Sequence, residues 1–113
     1  MNQVVMEALR FRPPGLESTW TKLTQDTKVG KYQFKRDDQL CFNFSDLHLN
    51  RDEWQRPREF LPERFDLKSD LSLTPKGTKR NPYSWSPFNG GKRICFGKTF
   101  ADMILKIFAT YAS

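Results

Sequence analysis

Histidine and cysteine are scarce in this chain of 113 residues, with one of the former and two of the latter. That scarcity excludes a zinc cluster, which needs about four ligands. Cys41 and Cys95 alone make no disulfide framework. A Cys/His catalytic pair could draw only on His48. No apolar run is long enough to read as a signal peptide or a membrane span. Apolar residues make up 37% of the chain and mean hydropathy is −0.72, so a large self-sufficient core is not expected. Acidic residues are missing where cations gather. Between Pro75 and Lys98 stand Lys76, Lys79, Arg80, Lys92, Arg93 and Lys98, with no Asp or Glu, and the net charge of +6 is concentrated in residues 61–113. Such a run is either an ordinary solvated face or a docking surface for an acidic protein, where charge steers encounter. Nucleic acid is not the expected partner, because aromatics do not interleave with the cations and no helix-turn-helix or finger spacing appears.

What is present divides into five stretches. Residues 2–12 have helical spacing and stop at Pro13-Pro14. Between Thr19 and Phe44, β-favouring residues alternate and turn residues recur at Gly30 and Asp37-Asp38, which predicts two to four short strands. Cys41, among Leu40, Phe42 and Phe44, is expected to be a buried strand residue. The stretch Leu47–Trp54 is expected to hold one short helix, with His48 serving packing or polar capping. Residues 55–87 form an irregular meander, longer than compact domains tolerate unless something outside pins it. Phe96, Phe100, Ile104, Ile107, Phe108 and Tyr111 recur at helical spacing, which predicts a final helix running to the chain end.

The most informative residues are 88–97, Phe-Asn-Gly-Gly-Lys-Arg-Ile-Cys-Phe-Gly. Cys95 stands in a glycine-rich, cation-flanked turn just before the final helix. The free N–H groups of a helix start carry partial positive charge, and with Arg93 nearby both favour an anionic sulfur. Such a sulfur is a nucleophile or a metal ligand; alternatively, Cys95 packs as a small hydrophobe. The ligand reading accounts for more neighbours. Gly91 and Gly97 would let a flat group approach the backbone, Phe88 could shield the sulfur, and Arg93 offers donors to a carboxylate. A flat, carboxylate-bearing group with an open axial position for thiolate describes haem.

The pattern Phe88-x-x-Gly91-x-Arg93-x-Cys95-x-Gly97 resembles the cysteine-ligand loop of the cytochromes P-450, the haem-thiolate monooxygenases. Two further stretches resemble the family in the same order: Glu7-Ala8-Leu9-Arg10, a helical i, i+3 pair, and Pro62-Glu63-Arg64-Phe65. The run from Trp54 through Pro57 and Phe60 to Phe65 follows the family's pattern as well. Ile104 and Asn50-Arg51 depart from it, standing where members often carry glutamate and Asp-Pro.

The resemblance implies a mainly α fold with a small β portion. Residues 1–113 would be the C-terminal part of a single haem-thiolate domain, a fragment of the cytochrome P-450 fold. Cys95 would be the proximal ligand of heme b, with Phe88, Gly91, Arg93 and Gly97 around the cofactor. Glu7, Arg10 and Arg64 would form a buried structural network. The whole protein would insert one atom of O2 into a small organic substrate, with electrons from a flavoprotein reductase or ferredoxin docking near Lys92 and Lys98. The fragment alone is expected to be inactive. The alternatives are a truncated gene product, a basic adaptor with a reactive cysteine, and an isomerase or dehydratase of the same family. Membrane contact would lie in a missing N-terminal part, with the endoplasmic reticulum membrane implied for a eukaryotic member and the cytoplasm for a bacterial one.

Overall fold

The computed structural model describes residues 2–111. The chain opens with helix α1 (Asn2–Phe11). Val5 and Leu9, one turn apart, share its buried side with Glu7 and Arg10. Pro13, which has no N–H, and Pro14 follow directly and end it.

Four short strands come next. β1 (Thr21–Lys22) pairs antiparallel with β4 (Gln39–Leu40), and between them β2 (Thr27–Val29) pairs with β3 (Tyr32–Phe34). The inner hairpin pairs Val29 with Tyr32 across Gly30-Lys31, and Gly30 takes the left-handed φ of 57° that such a tight turn demands. The strands are short and mostly exposed, so they form a lip rather than a core layer.

Helix α2 (Phe44–His48) begins earlier than the expected Leu47–Trp54 helix and replaces it. The reason is a cap: Asn43 Oδ1 accepts the Asp46 N–H at 3.1 Å. Trp54 instead closes a turn, its N–H donating to Asn50 O at 2.9 Å. Cys41 also departs from expectation. It lies one residue past β4 and is half-exposed, with Sγ against Ser18 O at 3.3 Å, because the pairing with β1 ends at Leu40.

The only helical pieces in residues 49–97 are short 3₁₀ turns, at Pro62–Phe65, Asp70–Ser72, Pro82–Ser84 and Gly91–Arg93, and a single antiparallel bridge joins Leu73 to Lys79. The irregularity expected of residues 55–87 is therefore present. Within the described residues the chain's own arginines and α1 hold this segment. The final helix α3 (Lys98–Tyr111) packs on α1 and has no buried residue. Residues 112 and 113, to which the final helix was expected to run, lie outside the described residues, as does Met1.

The radius of gyration is 16.0 Å, against about 13 Å for a compact chain of this length. Among the described residues the buried apolar side chains are Val5, Leu9, Phe44 and Trp54, together with Pro13 just past α1. The largest fully buried group is otherwise polar: Arg10, Arg64, His48 and Glu7. No helix among the described residues is long and apolar enough to cross a membrane.

Candidate functional site

The buried polar centre sets up the site from behind. Glu7 and Arg10, one turn apart on α1, form a two-pronged ion pair, with Nε to Oε2 and Nη2 to Oε1 both at 2.8 Å. Arg64 Nε reaches Glu7 Oε1 at 3.2 Å, and the Leu61 N–H donates to the same oxygen at 2.9 Å. All three charged side chains are fully buried. Two guanidinium groups face one carboxylate, and backbone carbonyls take up the remaining donors. Arg10 donates to His48 O, Pro57 O and Glu59 O; Arg64 donates to Gln55 O, Arg56 O and Glu59 O. An irregular segment exposes many unpaired carbonyls, and buried arginines satisfy them here. The network expected of Glu7, Arg10 and Arg64 is assembled by the structure.

Sequence reading missed a third arginine. Arg80 had been counted in the basic surface run, but it points inward and is half-buried. Its Nη1 donates to Leu71 O at 2.7 Å and its Nη2 to Arg64 O at 2.6 Å. Its guanidinium lies over the Trp54 ring, which Arg10 also approaches. Burial, and then the like charge of Arg64, lower its pKa. The available signal was the presence of Trp54 and Phe65 upstream, since a planar cation seeks an aromatic face.

His48 joins this centre to the cysteine loop. Its carbonyl accepts from Arg10 Nη1 at 2.8 Å, while its Nε2 accepts the Ser86 N–H at 2.9 Å. Burial pushes its pKa down to about 4, against an opposing backbone hydrogen bond at Arg10 and with a smaller push in the same direction from the Arg10 charge. The ring stacks on Phe44, as the packing expectation required.

The loop itself is closed by backbone bonds. Ser86 O accepts the Asn89 N–H at 3.2 Å, and Phe88 O accepts the Cys95 N–H at 2.8 Å. Asn89 (φ 64°) and Gly91 (φ 61°) take left-handed conformations to turn the chain. A Cβ on Gly91 would meet nothing within 4 Å, so within this chain Gly91 serves the backbone rather than clearance. Gly97 differs: a Cβ there would lie 3.7 Å from Cys95 Sγ, so its absence leaves the flank of the sulfur bare. Phe88 meets Cys95 through its carbonyl, and its side chain is half-buried.

Cys95 is exposed and lies three residues ahead of α3, with its carbonyl accepting the Lys98 N–H at 3.2 Å. The unpaired N–H groups of the helix start therefore lie just beyond it. Arg93 is exposed, has no ion-pair or hydrogen-bond partner among the described residues, and borders a hollow of about 560 Å³ shared with Ser18, Trp20, Phe42 and Asn89. No cluster of three or more His, Cys, Asp or Glu could hold a metal among the described residues. One soft sulfur with a bare flank, an unengaged guanidinium and exposed aromatic surface at Phe96 and Phe100 suit a planar, acid-bearing cofactor with a single protein ligand.

Comparison with known proteins bears on the family and the fold. The family model for Cytochrome P450 matches residues 1–111. A flavonoid-6-hydroxylase of Mentha piperita is 36% identical over 95% of this chain and 20% of its own length. A steroid 17-alpha-hydroxylase/17,20 lyase of Peromyscus leucopus is 30% identical over 96% of the chain and 20% of its own. The solved structure of retinoic acid-bound cyanobacterial CYP120A1 superposes with a TM-score of 0.84 at 33% identity, covering 97% of this chain and 24% of that one. A zebrafish cytochrome P450 with abiraterone gives a TM-score of 0.77 at 27% identity, again over 97% and 24%. The chain thus spans about a fifth of the length of the curated relatives it matches. With the family model matching residues 1–111 and the fold shared with these solved structures, the chain belongs to the cytochrome P450 family.

Proposed function

We propose that this chain is the haem-binding segment of a monooxygenase, with the Cys95 thiolate as proximal ligand of heme b. The observation that carries the reading is the exposed Cys95 sulfur ahead of α3, bare on its Gly97 side. Bound haem with a thiolate ligand would supply O2 activation and the insertion of one oxygen atom into a small organic substrate.

The chain's own residues hold and orient. The Phe88 carbonyl fixes the Cys95 backbone, so the sulfur is presented from a closed turn. The start of α3 offers partial positive charge toward the thiolate. Arg93, without a protein partner among the described residues, binds a carboxylate of the cofactor. Phe88 limits water near the sulfur, Gly91 turns the chain and Gly97 keeps the approach to the sulfur open. Glu7, Arg10 and Arg64 have no part in the chemistry; they hold the meander behind the loop. Lys92 and Lys98 are exposed, with no ion pair among the described residues, and form the landing face for an acidic electron donor, a flavoprotein reductase or ferredoxin. The chain alone does not turn over on this reading, because activity and substrate belong to the whole protein.

The test is the carbon monoxide difference spectrum of the reduced whole protein. A strongly red-shifted Soret band is expected, and Cys95→His should abolish it while haem still binds. An unshifted band in the unaltered protein overturns the reading. Charge reversal at Lys92 and Lys98 should slow reduction, with a weaker dependence on salt.

A further inference from the structure

The geometry points to His48 as a positioning residue for the cysteine loop, a neutral hydrogen-bond acceptor that fixes the turn from which Phe88 and Cys95 depart. Its imidazole and its carbonyl face opposite tasks. The carbonyl accepts from Arg10 Nη1 at 2.8 Å, inside the buried ion-pair centre. The Nε2 accepts the Ser86 N–H at 2.9 Å. Ser86 O in turn accepts the Asn89 N–H, and Phe88 O accepts the Cys95 N–H. One buried residue, through its carbonyl on one side and its ring on the other, therefore links the Glu7–Arg10 pair to the turn that carries the Cys95 backbone.

The direction of the bond settles the state of the ring. A backbone N–H only donates, so Nε2 must carry a lone pair, and a neutral imidazole then carries its proton on Nδ1. Full burial keeps the ring neutral well below physiological pH, which is the condition for accepting. Nδ1 has no partner among the described residues. A side chain kept here for bulk alone would not need a nitrogen; phenylalanine would stack on Phe44 as well. What only a nitrogen or a carbonyl oxygen supplies is the acceptor for Ser86.

The consequence for haem rests on the reading of Cys95 as its ligand. The hydrogen-bond path does not, and its test contains no haem, so the two can fail separately. Amide exchange is measured at Ser86 and Cys95 in the unaltered chain, in His48→Phe and in His48→Gln. The glutamine carbonyl can take the place of Nε2. The Leu61 amide, bound to Glu7 within the buried centre, reports global folding. The expected result is at least a tenfold loss of protection at Ser86 and Cys95 in His48→Phe, near-full protection in His48→Gln, and no change at Leu61. Unchanged protection in His48→Phe, or equal loss in both variants, overturns the proposal. If His48→Phe also loses Leu61 protection, the ring nitrogen spectrum of the unaltered protein decides. A proton on Nδ1 supports the assignment; a proton on Nε2 overturns it.

Discussion

The Arg80 guanidinium sits 4.3 Å from the centroid of the Trp54 ring, on a side chain that is itself only 1% exposed. Its two amino groups donate to the carbonyls of Leu71 and Arg64. One planar cation thereby fastens three separate parts of the irregular segment, which no ladder of main-chain bonds holds. Lysine keeps the charge but has neither the plane to stack nor the fork to reach two carbonyls. Arg80→Lys is therefore expected to cost about 2 kcal/mol, read as a lower denaturant midpoint with the slope unchanged. A loss under a few tenths of a kcal/mol would mean the stacking is incidental.

Glu7 balances two buried guanidinium groups. Glu7→Gln keeps the shape and removes the charge, leaving Arg10 and Arg64 uncompensated out of water. Breaking a buried pair from one side costs about 3–5 kcal/mol. The variant should be largely unfolded at room temperature, with loss of near-ultraviolet circular dichroism from Trp54 and Trp85.

The His48 pKa is depressed to about 4 in the fold, against about 6.5 in the unfolded chain. Between those values the unfolded state binds the proton and the folded state does not, so stability rises with pH across that window. The contribution is complete above pH 6.5 and is lost as pH falls toward 4, on the order of 3 kcal/mol in all. Denaturation midpoints of the unaltered chain and His48→Gln should lie close together at pH 7 and separate as pH falls to 4, with the unaltered chain becoming the less stable. Parallel curves would show that His48 does not carry the dependence.

Gly91 holds a φ of 61° with open space around its α carbon. Gly91→Ala should cost about 1–2 kcal/mol through backbone strain, and Gly91→Asn should recover much of it, because asparagine tolerates that region. If alanine and asparagine are equally harmful, the strain account fails and close approach by another group accounts for the glycine.

The parts legible in the sequence were those written in local spacing or in long fixed motifs. Glu7 and Arg10 declare themselves by lying three apart in a helical stretch, and α1 ends where Pro13 and Pro14 forbid its continuation. Arg64 entered the network through family resemblance, since spacing alone carries no sign of a partner fifty-seven positions earlier. The start of α2 was misplaced because Phe42 and Phe44 continue the strand-like alternation, which hides the cap at Asn43. Arg80 and the bond from Ser86 to His48 were illegible for one shared reason. Each is a contact between side chain and irregular backbone, and no periodicity marks it.

The last helix has one more consequence. α3 buries none of its fourteen residues, and Phe96, Phe100, Phe108 and Tyr111 stand largely bare. A helix of that length in plain water is marginal by its own propensity. Yet its leading turn supplies the electrostatic ground on which Cys95 stands. Whatever layer comes to cover those aromatic rings would therefore act on Cys95 from a distance, by keeping the coil wound, without touching the sulfur.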